Sequence, residues 1–367
     1  MKDNAGSGKI VFANQLRGLA ALTVLIWHFF CVFFQYPGAV VEILGVNAYS
    51  ISALPFLSEA AKKIDLLNLG QLGVAVFFLI SGFVIPFSLR RYSVKAFAIN
   101  RFFRLFPTYL ASLCLGVSVL YLIGSNLQYV TVKSFIAQIF FVRDWFFYPQ
   151  IDGLVWTLEV EVKFYFISAI IYWVFSKNVS YRSLVGISGF ILMASEVFRW
   201  KSGYFLNHGY SGIVYAIESI FVFIPFLLIG WIFHIHFFMN GSIRKVIGII
   251  GVLFAIFAFN LYRSVYFAEL FSKMIFNYSI AVAVFSLSFC FRERFHKNRI
   301  LDWLASISYS LYASHAILGY ALSYFLYVNG VYVELVPIAT ILICLVTASV
   351  IFHLVENRSK DLGKIFT

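Results

Sequence analysis

Ten apolar stretches, each near the length of a membrane-crossing helix, make up most of this chain: residues 16–34, 71–89, 106–124, 157–176, 182–199, 211–234, 245–262, 274–291, 307–328 and 335–355. A hydrocarbon core about 30 Å thick takes roughly 20 residues of helix. With no water inside the core to bond free backbone groups, such stretches become helices. The fold class is therefore all-α, a polytopic membrane protein built as a bundle of about ten transmembrane helices. Composition agrees, with 62% hydrophobic and 12% charged residues and a mean hydropathy of +0.89. The 44 Phe, 22 Tyr and 7 Trp supply bulk for helix interfaces and interfacial belts, which speaks of packing rather than function.

A net charge of +12 has meaning in such a chain only through its placement. With the N-terminus in the cytoplasm, alternate connections put nineteen Lys and Arg inside and eight outside, with Lys163 inside a span. The positive-inside rule then sets both termini in the cytoplasm. The charge is spent on topology and lipid contact, so no nucleic-acid partner is expected. Residues 1–15 read as a cytoplasmic N-terminal segment, 16–355 as a single transmembrane domain and 356–367 as a short cytoplasmic tail. The first apolar segment is too long for a cleavable signal core. The connections 35–70 and 125–155 are too short and apolar for an independent domain, although "FIAQIFF" (135–141) suits a short re-entrant or interfacial helix. The four cysteines fall singly in apolar stretches, which suggests neither a disulfide framework nor a metal knuckle.

Function has to be sought in polar residues that lie where polar residues are costly. Arg17 and His28 belong to "LRGLAALTVLIWHFF" (16–30). Eleven helical steps amount to about 16 Å and nearly three turns, so the two project from one face, His28 near the membrane midplane. Arg17 alone reads as a snorkelling anchor and His28 alone as a neutral imidazole bonded to a neighbour. Their shared face favours an anion clamp at the mouth of a site with a titratable base at its bottom.

Three more clusters stand out. In "LRRYSVKAFAINRFFRLFPTYLAS" (89–112), Arg101 and Arg104 share a helical face and suit a polyphosphate, and Pro107 suggests the start of a helix. In "DGLVWTLEVEVKFYF" (152–166), Glu159 and Glu161 point different ways on a helix, so only one is expected inside the bundle. Glu161 would lie several residues below the outer surface, where it needs a partner such as Lys163 or a histidine. In "ISYSLYASHAIL" (307–318), His315 comes at a depth comparable to that of His28, with hydroxyls of Ser308, Tyr309 and Tyr312 above it. "HIH" (234–236) diverges on a helix and has no acidic or Cys neighbours, so no metal site is expected.

Taken in order, these blocks resemble the membrane acyltransferase-3 family. "RGLAALTVLIWH" is similar to its opening signature, "GVAVFFLISGFVI" (73–85) to its second-helix motif and "RFFRLFPTY" (101–109) to its paired-arginine motif. "WTLEVEVKFY" (156–165) resembles its Trp-Ser-Leu-x-x-Glu-x-x-Phe-Tyr block, "ISYSLYASH" (307–315) its late Ser-Tyr-Ser-Leu-Tyr-x-x-His block and "LVENRS" (354–359) its closing tail. Thr157 stands where serine is usual, Val162 and Lys163 replace a common Glu-Gln pair, and Asn357-Arg358-Ser359 lacks the usual proline. These departures touch substrate detail more than reaction class.

The resemblance implies a multi-pass enzyme of the bacterial inner membrane that moves an acyl group, often acetyl, from cytoplasmic acyl-CoA to a carbohydrate hydroxyl. Arg17, Arg101 and Arg104 would hold the donor phosphates, His28 would act as base or acyl carrier, and Glu161 would orient His28 or the acceptor. Tyr165, Tyr309 and His315 would contact substrate. Acyl-CoA enters as a substrate, with no tightly bound cofactor expected. The extracytoplasmic esterase-like domain fused to some relatives is absent here, which leaves room for a separate transferase partner. A proton-coupled transporter or flippase for a lipid-linked glycan, with Arg17, His28 and Glu161 as relay, is the rival reading.

Overall fold

The structure, a computed structural model, describes residues 11–46, 59, 62, 67–176, 178–239 and 242–366. Residues 1–10 of the expected N-terminal segment and most of 47–66 in the connection 35–70 lie outside the described residues. Helix α1 spans Val11–Gln35 and α2 spans Pro37–Leu44. Next come α3 (Leu69–Arg91) and α4 (Val94–Leu122). The short helices α5 (Val132–Ile139) and α6 (Arg143–Phe146) precede α7 (Val155–Val174). The rest are α8 (Tyr181–Asn207), α9 (Ser211–Met239), α10 (Ile243–Arg263), α11 (Phe271–Cys290), α12 (Arg299–Val328) and α13 (Leu335–Ile365).

Among the described residues nine of these helices are long and apolar enough to cross a membrane. The tenth expected span, α7, has the length but carries Glu159, Glu161 and Lys163 within it. Helix α4 begins at Val94, with the Ser93 hydroxyl accepting from the Ala96 amide, and runs through Pro107. The expected helix start at Pro107 is thereby corrected. Arg101 and Arg104 sit inside the same continuous helix as the apolar span, because a capped helix carries them into the bundle instead of leaving them in a loop.

Helix α1 packs between α3 and α12, α3 packs in turn on α9 and α11, and α12 packs on α4 and α13. Helix α9 is the central post, with every residue from Val222 to Ile235 buried. It crosses α3 backbone to backbone at Gly82 and Gly230. A Cβ on Gly82 would fall 1.9 Å from the Leu227 carbonyl oxygen, and one on Gly230 2.2 Å from that of Leu79. Small residues allow such close approach where dispersion, not water exclusion, holds helices together.

In α1 the regular helix widens into a π-helical turn over Trp27–Val32. A second such turn occupies Phe352–Glu356 in α13. These turns are frequent at functional sites because they re-aim side chains without ending the helix. The first of them carries His28.

Candidate active site

A cavity of about 80 Å³ opens between α1, α3, α4, α7 and α12. Arg17, Arg101 and Arg104 line it together with a single carboxylate, Glu161. Arg17 donates from Nη2 to the Ala305 carbonyl at 3.1 Å, and Arg101 from Nη2 to the Ser88 hydroxyl at 2.5 Å. The Nε of each is buried with no hydrogen-bond partner. Three guanidinium groups against one carboxylate leave the wall cationic, with donors to spare. Buried charge of this kind is costly unless an anion completes it.

Glu161 has its own partners, since its Oε1 accepts from the Ser81 hydroxyl at 2.9 Å and from the Tyr165 hydroxyl at 2.6 Å. Tyr309 also lines the cavity and donates to the Leu105 carbonyl at 2.8 Å. Arg101 lies over the Tyr165 ring, 5.5 Å from its centroid. These contacts tie α3, α4, α7 and α12 into one polar wall.

A second polar centre lies farther along α12. His28 and His315 meet edge-on with ring centroids 4.9 Å apart. Nδ1 of His315 is within 3.1 Å of the Leu311 carbonyl and 2.9 Å of the Tyr312 carbonyl. A carbonyl only accepts, so that nitrogen carries the proton and Nε2 of the neutral ring is left with a lone pair. His315 Nε2 is buried and has no partner. His28 Nδ1 is 2.5 Å from the Tyr320 hydroxyl. Phe29 closes the centre from one side, with its ring edge-on to both His315 and Tyr320.

Tyr312 joins the two centres. It lines the arginine cavity, its hydroxyl is 2.6 Å from that of Thr157, and its ring centroid is 5.8 Å from that of His315. The start of α7, which carries Thr157 and Glu161, is fixed from above. Asp152 accepts from the Leu154 and Val155 amides and from the Tyr109 hydroxyl at 2.6 Å. Gln138 of α5 donates to Tyr109 and accepts from the Ile151 amide. Burial holds the Asp152 carboxyl above the ordinary carboxylate range, against the opposing pull of these bonds. Arg143 grips Glu159 through two nitrogens at 2.9 and 2.6 Å, and Lys163 bonds both Asp144 and the Ser219 hydroxyl.

The structure thus brings Arg17, Arg101, Arg104, Glu161, Tyr165 and Tyr309 together at one centre, and His28 with His315 at another. Arg17 and His28 do share a face, because both meet α12. Glu161, however, is partnered by Ser81 and Tyr165 and not by His28 or Lys163. The expectation that only one of Glu159 and Glu161 is enclosed is also corrected. The connection with α5 and α6 folds over the other face of α7, so each glutamate finds a polar niche on its own side. Ser81, Tyr320 and Asp152 carry no signal of their own in the sequence, whereas Thr157 stands out as a departure within a family block and Tyr312 as one of the hydroxyls above His315.

A family model described as an acyltransferase domain matches residues 10–355. No curated protein and no solved structure matches the chain.

Proposed function

The chain belongs to the membrane acyltransferase-3 family and is an acyltransferase, and on that premise we propose that it moves an acyl group, acetyl by family habit, from acyl-CoA to a carbohydrate hydroxyl. The carrying observation is the cavity with three arginines and one carboxylate, in which two buried Nε groups lack partners. Planar guanidinium forks suit phosphate oxygens. Arg17, Arg101 and Arg104 hold the phosphates of the donor, and its long arm passes Thr157 and Tyr312 toward the histidine pair. The arginine end faces the cytoplasm of a bacterial inner membrane, in keeping with the excess of basic residues on that side.

At the pair, an imidazole takes the proton of the acceptor hydroxyl as its oxygen attacks the thioester carbon. The new C–O bond forms, the C–S bond breaks, and the imidazolium returns its proton to the leaving thiolate. His28 is the base, and His315 faces the same space with a lone pair on Nε2. Glu161 keeps Tyr165 and Ser81 in register beside the donor arm rather than acting on His28. Tyr165, Tyr309 and His315 contact substrate. Family membership favours this over proton-coupled glycan transport, in which no donor site is needed.

The test is transfer of radiolabelled acetyl from acetyl-CoA into glycans by membranes containing the chain, with His28→Ala and Arg17→Ala at matched abundance. Label that appears with the parent chain and is lost from both variants supports the reading. No label with any of several acyl-CoAs and acceptors overturns it.

A further inference from the structure

A second recess lies on the outer side of the arginine wall. Between helices α4 and α7 lies an apolar groove of about 270 Å³, also lined by Ile139, Phe140 and Phe141 at the end of α5. Its flanks carry Phe97, Phe102 and Phe106 from α4 and Val162, Phe166 and Ala169 from α7. Phe102, Phe140 and Phe166 are 48%, 52% and 69% exposed, so the groove opens sideways, where a bilayer would surround it.

Among the described residues only two polar side chains line this groove, Arg101 and Tyr165. Arg101 lines both recesses, and Tyr165 reaches the cavity through its bond to Glu161. Two side chains therefore separate the groove from the cavity. One is a cation whose buried Nε has no partner, and the groove contains no carboxylate to answer it. An apolar trough that ends at a guanidinium whose Nη2 is held by Ser88 and whose buried Nε is free matches an amphiphile with a hydrocarbon chain and an anionic head.

We propose that this groove seats the hydrocarbon anchor of the acceptor, which is a phosphate-headed lipid-linked molecule delivered from the bilayer at the arginine end of the bundle. This rests on the acyl-transfer reading above. The chain lies between α4 and α7, the phosphate meets Arg101, and the part bearing the hydroxyl passes inward beside Tyr165. Donor and acceptor then meet from the same end of the bundle, one through its mouth and the other through its side.

The protein in phosphatidylcholine nanodiscs is photolabelled with phosphatidic acid bearing a diazirine in its acyl chain, with diacylglycerol of the same chain and with a diazirine acyl-CoA as comparisons. Adducts of the phosphatidic acid probe are expected at Phe102, Phe140 and Phe166, about tenfold above those of diacylglycerol, as one charge-assisted hydrogen bond provides. Ala98→Trp and Ala169→Trp, which fill the groove from opposite helices, are expected to remove these adducts while binding of CoA, read by calorimetry, is retained. Equal labelling by the two lipids, labelling spread evenly over the lipid-facing surface, or adducts at these three residues from the acyl-CoA probe alone overturns the proposal. Loss of CoA binding by the parent chain, with groove labelling intact, would count against the donor site and not against the groove.

Discussion

The His28 and His315 rings stand perpendicular at 4.9 Å, and only one of the two has both its orientation and its tautomer fixed by backbone. His315 is held by carbonyls of its own helix, whereas His28 sits in a π-helical turn with Nδ1 on the Tyr320 hydroxyl. The fixed ring sets where the other one points. His28→Ala is expected to lower acyl transfer by about 10²- to 10⁴-fold, the range for a lost general base. His315→Asn, whose amide reproduces the donor, is expected to lower kcat less and to leave donor KM unchanged. Single-turnover transfer at matched membrane abundance checks both.

Arg17 and Arg104 act on the donor and not on the chemical step, while Arg101 faces both the donor cavity and the acceptor groove. Arg17→Gln, Arg101→Gln or Arg104→Gln is each expected to weaken CoA binding by about tenfold to a hundredfold, one charge-assisted bond apiece. Dephospho-CoA and phosphopantetheine in a calorimetric titration separate the contributions. An Arg17 or Arg104 variant with lower kcat and unchanged donor affinity contradicts the assignment for that arginine.

Thr157 and Tyr312 share one hydrogen bond in a buried site. Thr157→Val keeps the shape and leaves the Tyr312 hydroxyl only its longer bond to the Leu154 carbonyl at 3.4 Å, at a cost of about 1 kcal/mol. A drop in thermal stability with reduced kcat is expected, and Thr157→Ser is expected to restore both. Equal behaviour of the Val and Ser variants would show that the bond is idle.

Arg143 and Glu159 form a buried pair under α6. Glu159→Gln leaves a buried cation without its counter-charge and is expected to destabilise by about 3–5 kcal/mol, while Arg143→Met combined with Glu159→Leu recovers most of that loss. Unfolding midpoints in a fixed detergent measure the difference. Glu161→Gln is expected to cost much less stability, since Glu161 has hydroxyl partners and no ion pair in the structure.

The close crossing of α3 and α9 leaves no room for a methyl group. Gly230→Ala is expected to lower the yield of folded protein far more than Gly248→Ala, where a Cβ would meet nothing within 4 Å. Size-exclusion profiles of the two variants decide the matter.

Much of this architecture is legible in sequence because lipid enforces it. Each apolar stretch long enough to span becomes a helix, and the eleven-residue spacing of Arg17 and His28 correctly turned both toward one neighbour. The partner expected for Glu161 was wrong, because the connection before α7 folds into the bundle and its Asp144 takes Lys163, which leaves Glu161 to Ser81 and Tyr165. Ser81, Tyr320 and Asp152 were illegible for another reason. A single hydroxyl or carboxyl next to an apolar run has no period, and only the fold reveals its partner.

The ion pairs that flank α7 also bear on how the chain gets into the membrane. With Glu159, Glu161 and Lys163 aboard, α7 is a poor candidate for insertion by itself, each charge near a helix centre opposing it by about 2.5–3.5 kcal/mol. The countercharges come from just upstream, since Arg143 and Asp144 precede Glu159 and Lys163 by less than twenty residues. These four charges cancel within one hairpin. Helix α7 is therefore expected to leave the insertion machinery together with the short helix before it, with both ion pairs closed and Glu161 the one carboxylate without a countercharge between them.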